Sequence, residues 1–262
     1  MGIVNATPDS FYDGGRHHDT GAAVAHAATL LEEGADILDI GGESTRPGAT
    51  EVPARDEIAR TVPVIRALRA QFPALPLSID TRKSAVARAA LDAGANIVND
   101  VSALQFDPAL ADAAAASGAG LILNHMRGEP GNMQNSPRFD DLWSEIRDEL
   151  GAAVRTAEER GVAPEAICLD PGIGFGKRFR DNLLLIRDHY ELRSLGFPIL
   201  LGPSRKRFLG RILDTEADDR LEGTIAACVA GVLNGADIVR VHDVKAVRRA
   251  IRVAEAIHQA KE

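Results

Sequence analysis

The side chains best suited to chemistry in this chain follow short apolar runs, at the points where those runs end. The clearest example is residues 166–169, an apolar run followed by Asp170, Pro171, three alternating glycines and Lys177. Apolar runs of this length that end in Pro and Gly are typical of buried strands. Asp170 is therefore predicted to lie at the carboxyl end of a buried strand, where a glycine-rich loop begins.

Two common nucleotide-binding loops are excluded at this position. A Walker loop ending at Lys177 requires Gly and Ser or Thr where the chain has Pro171 and Arg178. A dinucleotide fingerprint requires Gly-x-Gly-x-x-Gly, whereas the glycines here are residues 172, 174 and 176. A plain solvated turn remains open for this loop alone, but the same pattern recurs along the chain.

Strand-like and helix-like segments alternate throughout the sequence, and a Gly-Ala phrase precedes several of the strands. The predicted strands are residues 1–5, 36–40, 77–80, 97–100, 121–124, 166–170, 198–201 and 238–241. Such alternation implies parallel strands joined by right-handed crossovers. With 262 residues, the predicted fold is one (β/α)8 TIM barrel, a single domain over residues 1–262. A doubly wound open sheet is the alternative, disfavoured because its fingerprint is absent.

Composition excludes several classes of partner. The chain is 45% hydrophobic but only 4% aromatic, which predicts an aliphatic core of the kind found around parallel sheets. A net charge of −8 argues against nucleic acid or an anionic membrane as the main partner. No secretory signal or membrane-length apolar run is visible, and Cys168 and Cys228 lack metal-binding spacing. We therefore expect a cytoplasmic protein with two buried thiols.

The strand ends carry nearly all the reactive side chains, whereas the opposite loops carry the Gly-Ala phrases. In a TIM barrel, catalytic groups lie where strands end and the following loops begin. The predicted positions are Asn5, residues 43–46, Asp80, Asn99, Asp100, His125, Asp170, residues 204–206, Arg240 and His242.

These polar ends divide into two kinds of chemistry. Asp80, Asn99 and Asp170 suit a flat heterocycle with adjacent N–H groups. A second set suits an anion with many oxygens: Asn5, Arg46, Arg240 and His242. No metal-ligand cluster is visible, so a magnesium ion would be held mainly by phosphates of the ligand, with Asn5 as a candidate protein ligand. Lys206 lies between Arg205 and Arg207, which would lower its pKa, and it is a candidate for a Schiff base or for a phosphate or carbonyl contact.

The motifs resemble, in order and over essentially the whole chain, those of the dihydropteroate synthase family. Residues 1–15 and 42–48 resemble the first two loops of that family. The match continues through Ser-Ile-Asp-Thr at 78–81, Asn-Asp-Val at 99–101, residues 170–177, Ser-Arg-Lys at 204–206 and Arg-Val-His-Asp-Val at 240–244.

The resemblance implies a transferase of folate biosynthesis. It would condense 6-hydroxymethyl-7,8-dihydropterin pyrophosphate with 4-aminobenzoate, giving 7,8-dihydropteroate and pyrophosphate. It also implies a magnesium cofactor, a homodimer and membership of the class of enzymes that sulfonamides target.

The same resemblance implies a role for individual residues. The pterin would contact Asp80, Asn99, Asp170, Lys206 and Arg240. The pyrophosphate would contact Asn5, Thr45, Arg46, Arg240 and His242, with the magnesium at Asn5. The aminobenzoate pocket would be formed by Phe11, Pro47 and Lys206, and Asp13 would help to order the first loop.

Two other functions remain open at this point. A pterin-binding methyltransferase domain shares the barrel and part of the pterin pocket, but it needs no pyrophosphate clamp such as Thr45 and Arg46. A catalytically silent pterin-binding paralogue would keep the fold without turnover. A pyrophosphate-release assay with and without 4-aminobenzoate distinguishes the three.

Overall fold

Strands and helices alternate along the chain in the computed structural model, which describes residues 1–6, 16–44, 49–128, 131, 133 and 137–260. The strands are β1 (Gly2–Asn5), β2 (Leu38–Gly41), β3 (Leu77–Asp80), β4 (Ile97–Asp100), β5 (Gly120–Asn124), β6 (Ile167–Asp170), β7 (Leu200–Leu201) and β8 (Ile238–Val239). The helices are α1 (Arg16–Glu32), α2 (Ala54–Gln71), α3 (Ser84–Asp92), α4 (Ala109–Ser117), α5 (Leu142–Glu159), α6 (Phe179–Arg187), α7 (Arg207–Leu213), α8 (Leu221–Leu233) and α9 (Val244–His258).

The strands form a closed parallel ring. β1 to β6 pair in chain order, and β7 pairs in parallel with β8. Single parallel bridges join the two parts, Leu169 with Ile199 and Gly2 with Val241. At the second junction, the Ile3 amide donates to the Val241 carbonyl at 3.0 Å, and the Val241 amide donates to the Met1 carbonyl at 2.9 Å. The predicted (β/α)8 barrel is confirmed.

The alternation of side chains along each strand separates two apolar regions. Outward residues such as Leu38, Ile40, Leu77 and Ile79 are fully buried against the helices. Inward residues at the amino ends of the strands fill the barrel floor: Met1, Ile37, Ile97, Ile122, Cys168, Leu200 and Ile238. The upper part of the interior is therefore left for polar side chains, above an aliphatic floor.

Several predicted boundaries were wrong at their edges. The helix expected over residues 182–195 begins at Phe179 and ends at Arg187, and a 3-10 segment follows over His189–Leu195. The earlier start has a local cause, because the Arg178 amide donates to the Asp181 carboxylate at 2.9 Å and caps α6. β7 and β8 have only two residues each, since the outer residues of both predicted strands pair through single bridges or irregular bonds.

The two cysteines are free and buried, as predicted. Within the described residues, no helix is both long enough and apolar enough to cross a membrane.

Candidate active site

One guanidinium joins two strands across the open end of the barrel. Arg240 follows β8, and its Nε donates to Asp39 Oδ2 of β2 at 2.5 Å. Its Nη2 donates to Asp80 Oδ2, at the end of β3, at 2.6 Å. Asp39 is completely buried and the Arg240 side chain is 20% exposed. The pair therefore lies in the barrel interior with Arg240 reaching towards the mouth.

Asn99 joins the same network from β4. Its amide nitrogen donates to Asp39 Oδ2 at 3.1 Å, so Asp39 holds both Asn99 and Arg240. Asp39 was not predicted as a site residue, because it lies within an apolar strand and not at its end. The sequence did contain one indication, a carboxylate within an otherwise apolar strand. Burying an unpaired charge is strongly unfavourable, so Asp39 requires a partner or a ligand.

The neighbouring residue, Asp100, belongs to a different environment. Alternation turns its side chain to the other face of β4, where it accepts bonds from the Ser102 amide at 2.8 Å and the Ser102 hydroxyl at 2.7 Å. A third bond comes from the Leu104 amide at 2.5 Å. These bonds shape a turn in which Ala103 and Leu104 have φ values of 47° and 65°. Asp100 therefore organises the turn after β4 and lies apart from Asn99.

The two strand-end carboxyls are buried, and burial raises the pKa of both. The pKa of Asp80 rises to about 7, with Arg240 opposing the shift and Asp39 adding to it. The pKa of Asp170 rises to about 6, opposed by the bond that Oδ1 accepts from the Gly172 amide at 2.7 Å and by the charge of Lys206. Among the described residues, Oδ1 of Asp80 and Oδ1 of Asp39 are buried without a hydrogen-bond partner. Such atoms are rare in folded proteins and are the acceptors that a ligand N–H group would satisfy.

Lys206 lies against the loop that follows Asp170. Its ammonium is 4.1 Å from the centre of the Phe175 ring, within cation–π range. Burial, with the charge of Arg240 acting in the same direction, lowers the pKa of Lys206 to about 8, while Asp170 and Asp80 oppose the shift. The flanking arginines do not cause this, contrary to the prediction, because Arg205 turns away and its Nη2 pairs with Asp243 at 2.6 Å.

The remaining described site residues lie on the same side of the barrel. His242 Nδ1 is 2.9 Å from the Ser204 hydroxyl, which also accepts the His242 amide at 3.2 Å. Asn5 pairs in register with Gly41, and Gly41 pairs with Asp80. A Cβ at Gly41 would lie 3.6 Å from that of Asp80, so the glycine leaves the space between Asn5 and Asp80 open. Five predicted residues lie outside the described residues: Phe11, Asp13, Thr45, Arg46 and Pro47.

A second buried ionic cluster contains Glu43, which was predicted as a strand-end position, together with Lys83 and Glu57, which were not predicted. The Lys83 ammonium pairs with Glu43 and lies 2.8 Å from Glu57, which is completely buried. Glu43 also accepts a bond from the Val52 amide at 3.3 Å. The two ends of residues 43–52 are therefore tied to each other and to α2 and the turn before α3.

Two surface depressions lie away from the strand-end residues, one of them at the opposite end of the barrel. A depression of about 500 Å³ there is lined mainly by the strand starts and α9, including Met1, Ile37 and Ile238. Another, of about 440 Å³, lies on α5 beside Ser194 and Leu195. Neither contains any of the strand-end residues, so the mouth remains the candidate active site.

Comparison with known proteins identifies close relatives over the whole chain. Residues 1–242 match the family described as pterin binding enzyme. A dihydropteroate synthase of Synechocystis is 49% identical over 258 residues, covering 98% of this chain and 89% of the relative. The crystal structure of the dihydropteroate synthase of Clostridium difficile with pteroic acid has a TM-score of 0.93 and 43% identity, covering 99% of this chain and 96% of that one. The Yersinia pestis enzyme with a sulfonamide drug has the same TM-score and identity and covers 99% and 94%.

The central ion pair predicts a measurable pH dependence. Because Arg240 lowers the pKa of Asp80, Arg240→Met should raise that pKa above about 7. In the unfolded chain the carboxyl titrates near 3.8, so the folded state retains a proton that the unfolded state has lost between these pH values. Asp80 therefore disfavours folding progressively from about pH 4 to about pH 7, and in the variant this loss should extend to higher pH.

Carboxyl ¹³C NMR titration of aspartate-labelled protein, assigned with Asp80→Asn, measures the shift, and urea midpoints across the same pH range measure its effect on stability. Arg248→Met is the matched control, because Arg248 pairs with the exposed Asp36 and should leave the Asp80 titration unchanged. An Asp80 pKa that stays the same or falls in Arg240→Met would contradict the assigned ion pair.

Proposed function

This chain belongs to the pterin binding enzymes and, within them, to the dihydropteroate synthases, and from that premise we propose a role for each group at the barrel mouth. The chain is a transferase of folate synthesis that condenses 6-hydroxymethyl-7,8-dihydropterin pyrophosphate with 4-aminobenzoate, forming 7,8-dihydropteroate and pyrophosphate. The enzyme family is a target of sulfonamides. We take residues 1–262 as one pterin-binding domain.

The observation that supports the residue roles best is the Arg240 bridge between Asp39 and Asp80. Through Asp39, this bridge fixes Asn99 and Arg240 relative to Asp80. Oδ1 of Asp80 has no hydrogen-bond partner among the described residues. A pterin ring carries adjacent N–H donors and a carbonyl acceptor along its edges. In the proposal, Asp80, Asn99 and Asp170 bind the donors.

Lys206 and Arg240 complete the pterin pocket. Lys206 donates to the ring carbonyl while Phe175 packs against its ammonium, and Arg240 lies against the face of the pterin. Lys206 also borders the aminobenzoate, together with Phe11 and Pro47, and Asp13 orders the first loop. The roles of Phe11, Pro47 and Asp13 are based on the resemblance of the sequence motifs alone.

The pyrophosphate binds to the cationic side of the mouth. Its proposed contacts are Asn5, Thr45, Arg46, Arg240 and His242. Arginine presents parallel N–H donors to phosphate oxygens, and His242 is held in place by its 2.9 Å contact with Ser204. In this arrangement the carboxylates bind the N–H groups of the neutral heterocycle, and the cations bind the pyrophosphate at the other end of the same ligand.

The arrangement suits a dissociative substitution. The aromatic amine of 4-aminobenzoate is neutral and weakly nucleophilic at pH 7, so the reaction depends on a strongly electrophilic partner. Departure of pyrophosphate leaves a cation on the pterin methylene, which Asp80 and Asp170 stabilise, while Arg46, Arg240 and His242 stabilise the leaving anion. Preorganised groups of this kind contribute about 3–4 kcal/mol each to transition-state stabilisation.

Replacing the pterin carboxylate tests the function. Asp170→Asn puts an NH₂ group where the ligand N–H needs an acceptor, and hydrogen bonds to charged groups contribute about 1.5–3 kcal/mol. The KM for the dihydropterin pyrophosphate should therefore rise roughly 10- to 100-fold. Initial rates of pyrophosphate release, measured with and without 4-aminobenzoate, give the constants.

For the wild-type enzyme, the rate of pyrophosphate release should be high and constant when 4-aminobenzoate is present. Without 4-aminobenzoate, release should still occur, but slowly. Asp112→Asn is the control, because Asp112 forms an exposed ion pair with Arg160 at 2.8 Å and should keep wild-type constants. Strict dependence of C–O cleavage on the nucleophilicity of the amine would contradict the dissociative order. An unchanged KM in Asp170→Asn would contradict the role of this residue.

A magnesium ion fits this site only with the help of the substrate. The described part of the chain contains no group of three or more His, Cys, Asp or Glu side chains that could hold a metal, and Asn5 offers a single amide oxygen. Magnesium usually keeps water and binds through substrate phosphates. We propose that pyrophosphate oxygens would supply most of its ligands and Asn5 one, and that a magnesium ion held in this way would offset negative charge on the leaving group.

Chelation should therefore stop pyrophosphate release, and added Mg²⁺ should restore it. Asn5→Ala should raise the Mg²⁺ concentration that gives half the maximal rate, while binding of 6-hydroxymethylpterin, which lacks phosphates, stays unchanged. Asn96→Ala is the control at the other end of the barrel, where Asn96 accepts the Leu77 amide at 2.8 Å. Equal Mg²⁺ requirements for the two variants would remove Asn5 from the metal site.

We further propose a cytoplasmic homodimer. Burial raises the pKa of Cys168 and Cys228 to about 12, as befits unpaired structural thiols in a reducing compartment. Helix α9, which packs against α8, exposes two large apolar side chains, Val253 at 60% and Ile257 at 72%.

Burying these side chains against a second copy accounts for their exposure. Ile257→Glu should therefore shift the protein to monomers in sedimentation velocity at micromolar concentration. Tyr190→Glu, which places a charge at another exposed site, should leave the dimer intact. A wild-type protein that sediments as a monomer would contradict the proposal.

A further inference from the structure

A buried lysine ties the loop after Asp170 to the end of β5. The Lys177 ammonium donates to the Phe175 carbonyl at 2.9 Å and to the Gly172 carbonyl at 3.2 Å, both within the loop. It also lies 2.8 Å from His125 Nδ1. Lys177 is 3% exposed, and no carboxylate pairs with it among the described residues. Its interactions are therefore with the loop, with His125 and, at 5.8 Å from the ring centre, with Phe139.

His125 connects this lysine to the outer helix layer. The ring is completely buried, its Nε2 lies 2.9 Å from Glu149 Oε2 of α5, and Glu149 also pairs with Arg127. Burial lowers the pKa of His125 to about 4, and the charge of Lys177 contributes in the same direction. The ring is thus neutral at pH 7, with Nδ1 accepting from Lys177 and Nε2 facing the Glu149 carboxylate without an aligned hydrogen bond.

The loop also lies directly on the backbone that it is tied to. Gly172 has φ of +75°, and a Cβ there would lie 1.7 Å from the His125 carbonyl oxygen. Gly176 has φ of +59°, and its Cβ would lie 2.1 Å from the Arg127 carbonyl oxygen. Only glycine fits at such contacts. The lysine bonds therefore hold together two backbone segments that are packed without intervening side chains.

On its other side, the same loop contacts Asp170 and Lys206, two of the residues proposed to bind the pterin. The Gly172 amide binds Asp170 Oδ1 at 2.7 Å. The Phe175 ring lies below the Lys206 ammonium, and a Cβ at Gly174 would lie 3.1 Å from Lys206 Cδ. A displacement of the loop would therefore move Asp170 and Lys206 relative to each other.

We propose that Lys177, His125 and Glu149 are positioning residues: they fix loop 171–176 so that Asp170 and Lys206 meet the pterin together. The inference rests on the proposed roles of Asp170 and Lys206. None of the three residues needs to contact substrate. Misplacement of binding groups by about 1 Å can cost roughly 100-fold in rate, so their effect should appear in the kinetics as well as in stability.

Variants along the chain of contacts test the proposal. Lys177→Met removes the donor to two loop carbonyls, His125→Gln removes the ring that Lys177 binds, and Glu149→Gln removes the charge on α5 that faces both His125 and Arg127. The dissociation constant of 6-hydroxymethylpterin, from intrinsic fluorescence, should rise about 10- to 100-fold in Lys177→Met and less in the other two. At saturating pterin substrate, kcat should fall, because loss of positioning acts on the pterin step.

His189→Gln is the matched control, because His189 is equally buried, lies in the 3-10 segment after α6 and bonds the Ile186 carbonyl at 3.1 Å. It should lower the urea midpoint and leave pterin binding unchanged. If Lys177→Met does not fold, His125→Gln and Glu149→Gln decide the matter. Folded variants that bind pterin as the wild type does would overturn the proposal, as would an equal effect of His189→Gln.

A ¹⁵N spectrum of the histidine rings provides an independent readout. It should give His125 as a neutral ring with Nδ1 unprotonated, and the Nδ1 resonance should shift in Lys177→Met, which removes the donor to this atom; a charged ring at pH 7 would overturn the arrangement. Asp170→Asn separates the two levels of inference. If that variant also leaves pterin affinity unchanged, the proposed pterin site itself fails; if it alone weakens binding, only the positioning role fails.

Discussion

The most demanding interaction in this structure is the compensation of buried charge by Arg240. Asp39 and Asp80 lie in the barrel interior, where an isolated carboxylate is strongly destabilised by the loss of water. A single guanidinium bonds to one oxygen of each, and the other oxygen of each has no protein partner among the described residues. This incomplete satisfaction reduces the stability of the free enzyme. It also leaves acceptors in place for a ligand that brings N–H groups.

Closure of the barrel is what makes this compensation possible. Asp39 and Arg240 are 201 residues apart in the chain, and they meet only because β8 returns to β1 through the bridge between Val241 and Gly2. The aliphatic floor below them keeps water out of the lower barrel, so the polar groups are forced towards the mouth. The position of the site is therefore a consequence of the apolar pattern on the strands as much as of the polar residues themselves.

The sequence predicted the parts of the site that obey a local rule. Polar residues at strand ends are recognisable because an apolar run stops there, and Asp80, Asn99 and Asp170 were found in this way. Asp39 was missed because no such boundary marks it. The different environments of Asn99 and Asp100 needed the strand register, and the pKa of Lys206 needed its spatial neighbours, since Arg205 is adjacent in the chain but bonds elsewhere. Contacts that form only when the barrel closes join residues far apart in the chain, so local sequence patterns do not predict them.

The two lysines next to loop 171–176 show how one residue type serves two purposes. Both ammonium groups have pKa values lowered by burial, to about 7 for Lys177 and about 8 for Lys206. Lys177 bonds to two carbonyls of the loop, which an apolar side chain would leave without a partner. Lys206 instead lies on the Phe175 ring, a contact that stabilises a cation without using all of its N–H donors. The lysine that must hold the backbone is therefore enclosed by acceptors, whereas the lysine proposed to bind pterin is supported from one side and keeps donors for the substrate.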